Sequence, residues 1–270
     1  MDFPRARAVA EHLVVLESVG STNDELAVRA RAARLPAFTV VATTNQTAGR
    51  GRLDRTWVTP PGQALAVSVL LRPELADGSR VAPERYGWIP LIAGLAMTRT
   101  VSRILGSTSA HRATLKWPND VLIDGRKVSG ILSTLLGDGT DVVVGAGLNL
   151  TIPADSLPVP TATSLALSGV TTLAAELADL ALAGYLTELR TAWGAFLGSG
   201  ADVRASGIRN AVSEACGTLG EQVRVALPDG STRYGTAVDL DDGGHLRMRA
   251  APDAPLETVA AGDVTHVRYE

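Results

Sequence analysis

The 270-residue sequence is 46% hydrophobic and 20% charged, a composition typical of a globular chain that can bury a sizeable core. Its formal net charge of −3 excludes a strong overall positive field of the kind that draws a protein to nucleic acid or to an anionic membrane. Cys216 is the single cysteine, which excludes an internal disulfide and favours a reducing compartment such as the cytoplasm.

Neither a secretory signal nor a membrane span is predicted. The chain start, Met1 to Arg5, has no long apolar run, and such a run is the core of a secretory signal. The longest uncharged segment, Ser156 to Ala175, contains Pro158 and Pro160, and we therefore predict a loop there.

Hydrophobic spacing in the first part of the chain predicts strands interleaved with helices. The predicted elements are strands at Leu13 to Val19, Thr39 to Thr44 and Ala64 to Leu71, and helices at Asn23 to Arg34 and Pro83 to Leu105. Thr22 and Glu25 have the spacing of a capping box at the start of the first helix. Pro90 marks a kink or a late start in the second helix.

The middle of the chain has the pattern of two successive β-hairpins. Asp124-Gly125 separates Val121 to Ile123 from Lys127 to Leu132, and Asp138-Gly139 separates Leu132 to Leu136 from Val142 to Val144. Helices are then predicted from Thr172 to Leu197 and from Asp202 to Cys216.

The C-terminal segment alternates apolar and polar residues between two turn signals. These are Pro228-Asp229-Gly230 and Asp242-Gly243-Gly244, and they predict a small β-barrel. The predicted fold class is therefore α+β, with a mixed sheet and flanking helices in residues 1–216 and the small barrel in residues 217–270.

Three motifs concentrate the chemistry. The first is Thr44 to Trp57, where Arg50, Arg52 and Arg55 follow Gln46 and alternate with Gly49 and Gly51. Glycines let backbone approach a ligand, and guanidinium groups bind carboxylate or phosphate in a bidentate manner. An ordinary solvated loop remains the alternative. The segment has neither the Walker spacing nor a third glycine for a dinucleotide fingerprint.

The second and third motifs lie on predicted strands. Lys116-Trp117-Pro118-Asn119-Asp120 places a lysine at a strand end, where it can either face solvent or stabilise charge at an attacked phosphorus. Lys127 to Leu132 and Gly145 to Leu150 contain interior glycines, which mark close approach of a ligand or, alternatively, a bulge.

Together these motifs resemble the biotin-protein ligase family. The resemblance is carried by the glycine-arginine segment, by the Lys116 motif and by Gly145-Ala146-Gly147-Leu148-Asn149, with Ser21-Thr22-Asn23 and Ala162-Thr163-Ser164-Leu165 as further matches in the same order. It implies the class II synthetase-like fold of biotin and lipoate ligases, with an SH3-like C-terminal barrel. It also implies an enzyme that makes biotinyl-5′-AMP from biotin and ATP and passes the biotinyl group to a carrier lysine.

The resemblance also assigns residues to roles. Lys116 and Arg50 are the implied catalytic residues. The implied biotin contacts are Ser21, Thr22, Asn23, Gln46, Gly49, Arg50, Gly51, Arg52, Lys116 and Gly130. The implied ATP contacts are Arg52, Arg55, Trp57, Asn119, Lys127 and Asn149. Leu53-Asp54 departs from the pattern of relatives that place further basic residues at these positions.

The expected substrates are biotin and ATP with Mg²⁺, and no dedicated metal site is expected because the four histidines are scattered. The expected partner is the biotin carboxyl carrier domain of acyl-CoA carboxylases, and the expected state is a monomer or weak dimer. Two alternatives stay open. One is lipoate attachment, which the glycine-arginine loop disfavours. The other is a DNA-binding repressor, disfavoured because only 20 residues precede Ser21.

Overall fold

A computed structural model describes residues 2–52, 55–107, 109–137 and 139–266. The helices are α1 (Pro4–Val9), α2 (Thr22–Ala32), α3 (Trp88–Leu105), α4 (Ala174–Gly198) and α5 (Ile208–Ala215). The first nine strands are β1 (Leu13–Val15), β2 (Val40–Thr43), β3 (Gly49–Arg50), β4 (Thr56–Trp57), β5 (Ala64–Leu71), β6 (Ala113–Lys116), β7 (Asp120–Ile123), β8 (Arg126–Leu136) and β9 (Asp141–Asn149). The C-terminal strands are β10 (Gln222–Ala226), β11 (Thr232–Leu240), β12 (Leu246–Arg249), β13 (Glu257–Val259) and β14 (Asp263–His266).

Seven strands form one mixed sheet in the order β1-β2-β5-β9-β8-β7-β6. Only the pairing of β1 with β2 is parallel among the ladders of this sheet in the described residues. The predicted α+β class and mixed sheet are therefore confirmed.

Both faces of the sheet are covered, which explains why all eight residues of β5 are buried. Alternate side chains of a strand point to opposite faces. Leu65 and Val67 belong to the large core beside α3 and α4, whereas Leu70 packs with Leu26 of α2 in a smaller cluster. The face under α2 is called the α2 face below.

Several predicted boundaries are corrected. The strand at Leu13 ends at Val15, and α3 starts at Trp88, so Pro90 lies in the first turn, where a missing N–H is tolerated. The two predicted hairpins share the single long strand β8. Asp138, which belongs to the second predicted turn, lies outside the described residues. The last predicted helix shortens to α5.

The C-terminal strands form an antiparallel sheet in the order β13-β12-β11-β10-β14. The two predicted turns join its strands, so the β module is confirmed. No ladder joins β13 to β14 in the described part of this module, so the sheet is open where a closed barrel was predicted. The boundary near Gly217 stays a prediction.

The turn between β11 and β12 fixes the C-terminal sheet to the large sheet. The indole of Trp88 donates to the Asp242 carbonyl at 2.9 Å, and the indole of Trp117 donates to the Gly244 carbonyl at 3.0 Å. Because both indoles are buried, each needs such an acceptor. Among the described helices, none has the length and apolar character needed to cross a bilayer.

Candidate active site

A row of aligned residues crosses the α2 face of the large sheet. Directly opposed residues of antiparallel strands point to the same face. Ala66 of β5 pairs with Gly147 of β9, Gly147 with Gly130 of β8, Gly130 with Asp120 of β7, and Asp120 with Lys116 of β6. The centre of the row therefore has almost no side chains, while its β6 end carries charge.

A second row lies beside the first and supports a polar side chain of α2. Here Ser68 pairs with Gly145, and Gly145 pairs with Leu132. A Cβ on Gly145 would overlap the carboxamide of Asn23, which donates through Nδ2 to the Leu132 carbonyl at 3.1 Å. The absence of a side chain at Gly145 lets Asn23 lie flat on the sheet.

Trp57 covers the other strand glycine. A Cβ on Gly147 would lie 2.8 Å from the indole ring, which is closer than real Cβ contacts. The β9 ladders have no register shift at either glycine, so the bulge alternative for Gly145 and Gly147 is wrong. Both glycines permit close approach of another side chain.

The start of α2 and Gln46 form a polar wall next to these glycines. Ser21 is the N-cap, and its hydroxyl accepts from the Asp24 N–H at 3.3 Å. The predicted capping box of Thr22 with Glu25 is therefore wrong, because Glu25 pairs with Arg29 instead. The Thr22 N–H donates to Gln46 Oε1 at 2.8 Å, and the Thr22 hydroxyl oxygen lies 3.1 Å from the same atom.

Gly49 gives the Gln46 side chain its room. A Cβ on Gly49 would overlap Gln46 Nε2 and the Trp57 carbonyl. With Oε1 bonded to Thr22, the amide nitrogen of Gln46 lies beside Gly49.

A β-bulge aims Lys127 at the same face. Val121 pairs with Ser129, but Leu122 pairs with Lys127, so Val128 is an extra residue in β8. A bulge shifts the alternation of side chains along its strand. Lys127 consequently points to the α2 face, where Nζ is 2.6 Å from Asp120 Oδ1 and 3.1 Å from the position of a Cβ on Gly130.

Lys116 ends the charged side of the first row. It is half-buried, and its neighbour Leu115 faces the large core, so alternation directs Lys116 to the α2 face. Lys116 and Lys127 are the only lysines in the sequence, and both lie on this face. Among the described residues, no carboxylate forms an ion pair with the Lys116 amine within 4 Å.

Arg50 has a partner on α2, whereas Arg52 and Arg55 reach residues 262 and 263. Arg50 is exposed and pairs with Asp24 at 2.5 Å. Arg52 donates to Asn119 Oδ1 at 2.9 Å and to the Gly262 carbonyl at 3.2 Å. The predicted departure at Leu53-Asp54 lies outside the described residues.

Arg55 connects the loop to the C-terminal sheet through Asp263, at 2.5 Å. Partial burial alone would raise the pKa of Asp263, but the hydrogen bond from Arg55 and the positive charges of Arg55, Lys116 and Arg52 lower that pKa below its usual range. Lys116, Arg52 and Arg55 therefore act together on one carboxylate, and a site with this charge suits anions.

The amides predicted to contact ATP are engaged within the protein. Asn119 Nδ2 donates to the Ile131 carbonyl at 2.7 Å, and Asn149 Nδ2 donates to the Thr163 carbonyl at 2.9 Å. Asn149 thereby holds the loop that contains the Ala162 to Leu165 match. No group of three or more His, Cys, Asp or Glu side chains in the described residues is arranged to hold a metal ion.

Three functional candidates were missed from the sequence. Ser68 is a lone polar residue in an apolar strand, and that pattern could have identified it. Asp120 was quoted within a motif but received no role. Asp263 has no recognisable signal, because its partner Arg55 is 208 residues away.

Comparisons with known proteins agree on one family. Residues 15–149 match the Biotin/lipoate A/B protein ligase family, and residues 218–267 match the Biotin protein ligase C terminal domain. The biotin--[acetyl-CoA-carboxylase] ligase of Mycobacterium tuberculosis is 36% identical over 260 residues, covering 95% of this chain and 89% of that protein. The ligase of the same name from Paracoccus denitrificans is 32% identical, covering 81% of this chain and 86% of the relative.

The fold comparison agrees with the sequence matches. The solved structure of the biotin protein ligase from Aquifex aeolicus in complex with biotin and ATP has a TM-score of 0.72 and 25% identity, covering 96% of this chain and 100% of that one. Strands β2 to β9 and strands β10 to β14 lie within the matched residues, as do Gly130, Gly145 and Gly147, which are together called the glycine floor. The chain therefore belongs to the biotin protein ligases of the biotin/lipoate A/B protein ligase family.

Proposed function

We propose that the protein joins biotin to ATP as biotinyl-5′-AMP, with release of pyrophosphate, and then transfers the biotinyl group to a lysine of a biotin carboxyl carrier protein, with release of AMP. The observation that carries this proposal is the glycine floor on the α2 face. A polar wall of Thr22, Asn23 and Gln46 borders it on one side, and the only two lysines border it on the other.

This arrangement suits a small acid with a polar head. The fused rings of biotin lie against Asn23 and Trp57, the side chains that cover Gly145 and Gly147, with the ureido group toward the Gln46 amide. The acid end extends toward Gly130, where Lys127 and Lys116 carry positive charge. Ser21 acts by capping the helix that presents Thr22 and Asn23.

The first half-reaction brings two anions together. The biotin carboxylate attacks the α-phosphorus of ATP, a P–O bond to the β-phosphate breaks, and pyrophosphate leaves. Cations must offset the repulsion and stabilise the charge in the transition state. Lys116, Lys127 and Arg52 supply that charge from one side of the sheet. The ion pair with Asp120 orients Lys127.

The glycine-arginine loop closes over the two reactants. Arg50 and Arg55 now pair with Asp24 and Asp263, and on closure they exchange those carboxylates for the carboxylate and phosphates of the substrates. Gly49 and Gly51 allow the backbone to come close. Closure excludes water from the mixed anhydride, which water would otherwise hydrolyse.

The nucleotide lies on the side of the loop that faces the C-terminal sheet. That side is bordered by Arg52, Arg55, Asn119, Lys127 and Asn149. Trp57 separates it from the glycine floor. Mg²⁺ would be bound by the triphosphate and would offset part of its charge.

In the second half-reaction the amine of an acceptor lysine attacks the acyl carbon of the anhydride. The acyl C–O bond breaks, an amide forms and AMP leaves. The acceptor is the carrier domain of an acyl-CoA carboxylase. A reducing compartment such as the cytoplasm suits the single buried cysteine. We further propose that the protein is a monomer or weak dimer, that it binds no operator DNA, and that residues 217–270 form a second domain.

One experiment tests the whole proposal. A biotin carboxyl carrier domain is incubated with the protein, ATP, Mg²⁺ and biotin, and its intact mass is measured. The expected result is a gain of one biotinyl group that requires ATP. Lipoate in place of biotin should give no gain, and a preference for lipoate would reassign the acid substrate.

A further inference from the structure

Ser68 is a fully buried serine in the middle of β5, and its hydroxyl lies between two residues of the polar wall. Ser68 Oγ is 2.6 Å from Asn23 Oδ1 and 2.8 Å from Thr22 Oγ1. Neither the sequence motifs nor the proposed function above gives this hydroxyl a role.

The positions of the protons follow from the donors and acceptors present. A carboxamide oxygen cannot donate, so the 2.6 Å contact with Asn23 Oδ1 requires the proton of Ser68. The reversed Asn23 amide would place its oxygen against the Leu132 carbonyl, which now accepts from Nδ2. Ser68 therefore fixes which end of the Asn23 amide faces the sheet.

The same assignment determines what Thr22 and Gln46 offer. With its own proton committed to Asn23, Ser68 Oγ can only accept from the Thr22 hydroxyl. Gln46 Oε1 accepts from the Thr22 N–H, so Nε2, which lies beside Gly49, is the donor end of that amide. Ser68 thus sets the direction of the hydrogen bonds that the Thr22 and Asn23 side chains make within the wall.

We propose that Ser68 is a positioning residue that makes this wall specific for a cyclic urea, because it fixes which groups of Thr22 and Asn23 donate and which accept. This role rests on the proposed function, in which the ureido group of biotin occupies the wall. Ser68 does not touch the substrate, and it acts by holding Asn23 and Thr22 in one hydrogen-bonding arrangement.

The test compares biotin with 2-iminobiotin, in which the ureido oxygen is replaced by an imino nitrogen. Biotin-dependent exchange of pyrophosphate into ATP is measured with both acids. In Ser68→Ala the KM for biotin should rise about tenfold, the effect of one buried hydrogen bond, with kcat within about twofold of the parent. The preference for biotin over 2-iminobiotin should fall by a similar factor.

Two further variants separate this role from packing. Ser68→Thr keeps a hydroxyl and should retain the parent's preference. Ser129→Ala is the matched control, because Ser129 is also buried in the sheet and its hydroxyl has no partner among the described residues. Should Ser68→Ala not fold, Ser68→Cys has nearly the native size with a weak donor and should show the same loss.

An unchanged preference in Ser68→Ala, or in Ser68→Cys where that is used, overturns the role of Ser68. That result is distinct from failure of the proposed function. In the latter case the parent protein itself would support no exchange with biotin and would show no biotin binding by calorimetry.

Discussion

At the scale of single residues, the floor of the site depends on side chains that are absent. Gly147→Ala would place a methyl group 2.8 Å from the Trp57 ring, so the indole must move. We expect unfolding free energy to fall by about 1 kcal/mol, the lower range for overpacking, with a much larger relative loss of biotin affinity. Chemical denaturation and calorimetric titration measure the two effects.

A glycine elsewhere gives the control for that variant. Gly194 of α4 has no atom within 4 Å of an added Cβ. Gly194→Ala should raise the stability by about 0.5–1 kcal/mol, as in other exposed helix positions, and should leave biotin affinity unchanged. Equal biotin affinities for the two variants would contradict the assignment of the floor.

The two lysines are the residues with the strongest expected effect on chemistry. Lys116→Ala should depress biotin-dependent pyrophosphate exchange by roughly a hundredfold, as expected for losing a key electrostatic contact. Lys127→Ala should do the same, because both amines lie on the α2 face. Arg224→Ala, on an exposed position of β10, is the control. Undiminished exchange in either lysine variant would remove that lysine from the mechanism.

Motif reading identified these residues but not their orientation. Lys116 was visible at a strand end, and Gly145 and Gly147 were visible as interior glycines. The sequence did not show which side chain packs on each glycine, because Asn23 and Trp57 come from segments distant in the sequence. The face of Lys127 depends on the bulge at Val128, and hydrophobic alternation does not reveal such a bulge.

At the scale of elements, the glycine-arginine loop should respond to ligand. Trypsin cleavage after Arg50, Arg52 and Arg55 is expected to slow when biotin or biotinyl-adenylate is added, because closure withdraws these arginines from solvent. Cleavage after Arg34, which is exposed and outside the site, provides the internal reference. Loop cleavage that is as fast with adenylate as without it would argue against closure.

The contact between this loop and β14 should depend on pH. Since the folded-state pKa of Asp263 lies below its unfolded value, the ionised carboxylate stabilises the fold above about pH 4, and this contribution disappears as pH falls through the folded pKa. Asp263→Asn should therefore lower the unfolding free energy by about 0.5 kcal/mol at pH 7 and by nothing at lower pH.

Urea denaturation across a pH series measures this difference. Asp253→Asn changes an exposed aspartate of the same module and should show no comparable pH-dependent loss. A loss in Asp263→Asn that persists below pH 3 would exclude the ion pair with Arg55 as its cause.

At the scale of the whole molecule, local patterns predicted which segments are strands better than whether the C-terminal sheet closes into a barrel. The strand at Ala64–Leu71 was predicted with its observed bounds, because an eight-residue apolar run has few alternatives. The C-terminal strands were also predicted, but whether β13 meets β14 depends on sheet twist and on the contacts of Trp88 and Trp117 with one turn. Such long-range contacts leave no local pattern.

Because both lysines lie on the α2 face, the acyl-adenylate has few amines of the protein to modify elsewhere. The acyl-adenylate reacts with neutral amines, whereas guanidinium groups keep their proton at pH 7 and do not attack. Apart from the α-amino group, the only amines in the sequence are those of Lys116 and Lys127 on the α2 face, and the Lys127 side chain is 42% exposed. Self-labelling during prolonged turnover should map to those few amines by peptide mass analysis, and an amine-reactive ester should report directly on whether the catalytic face is occupied.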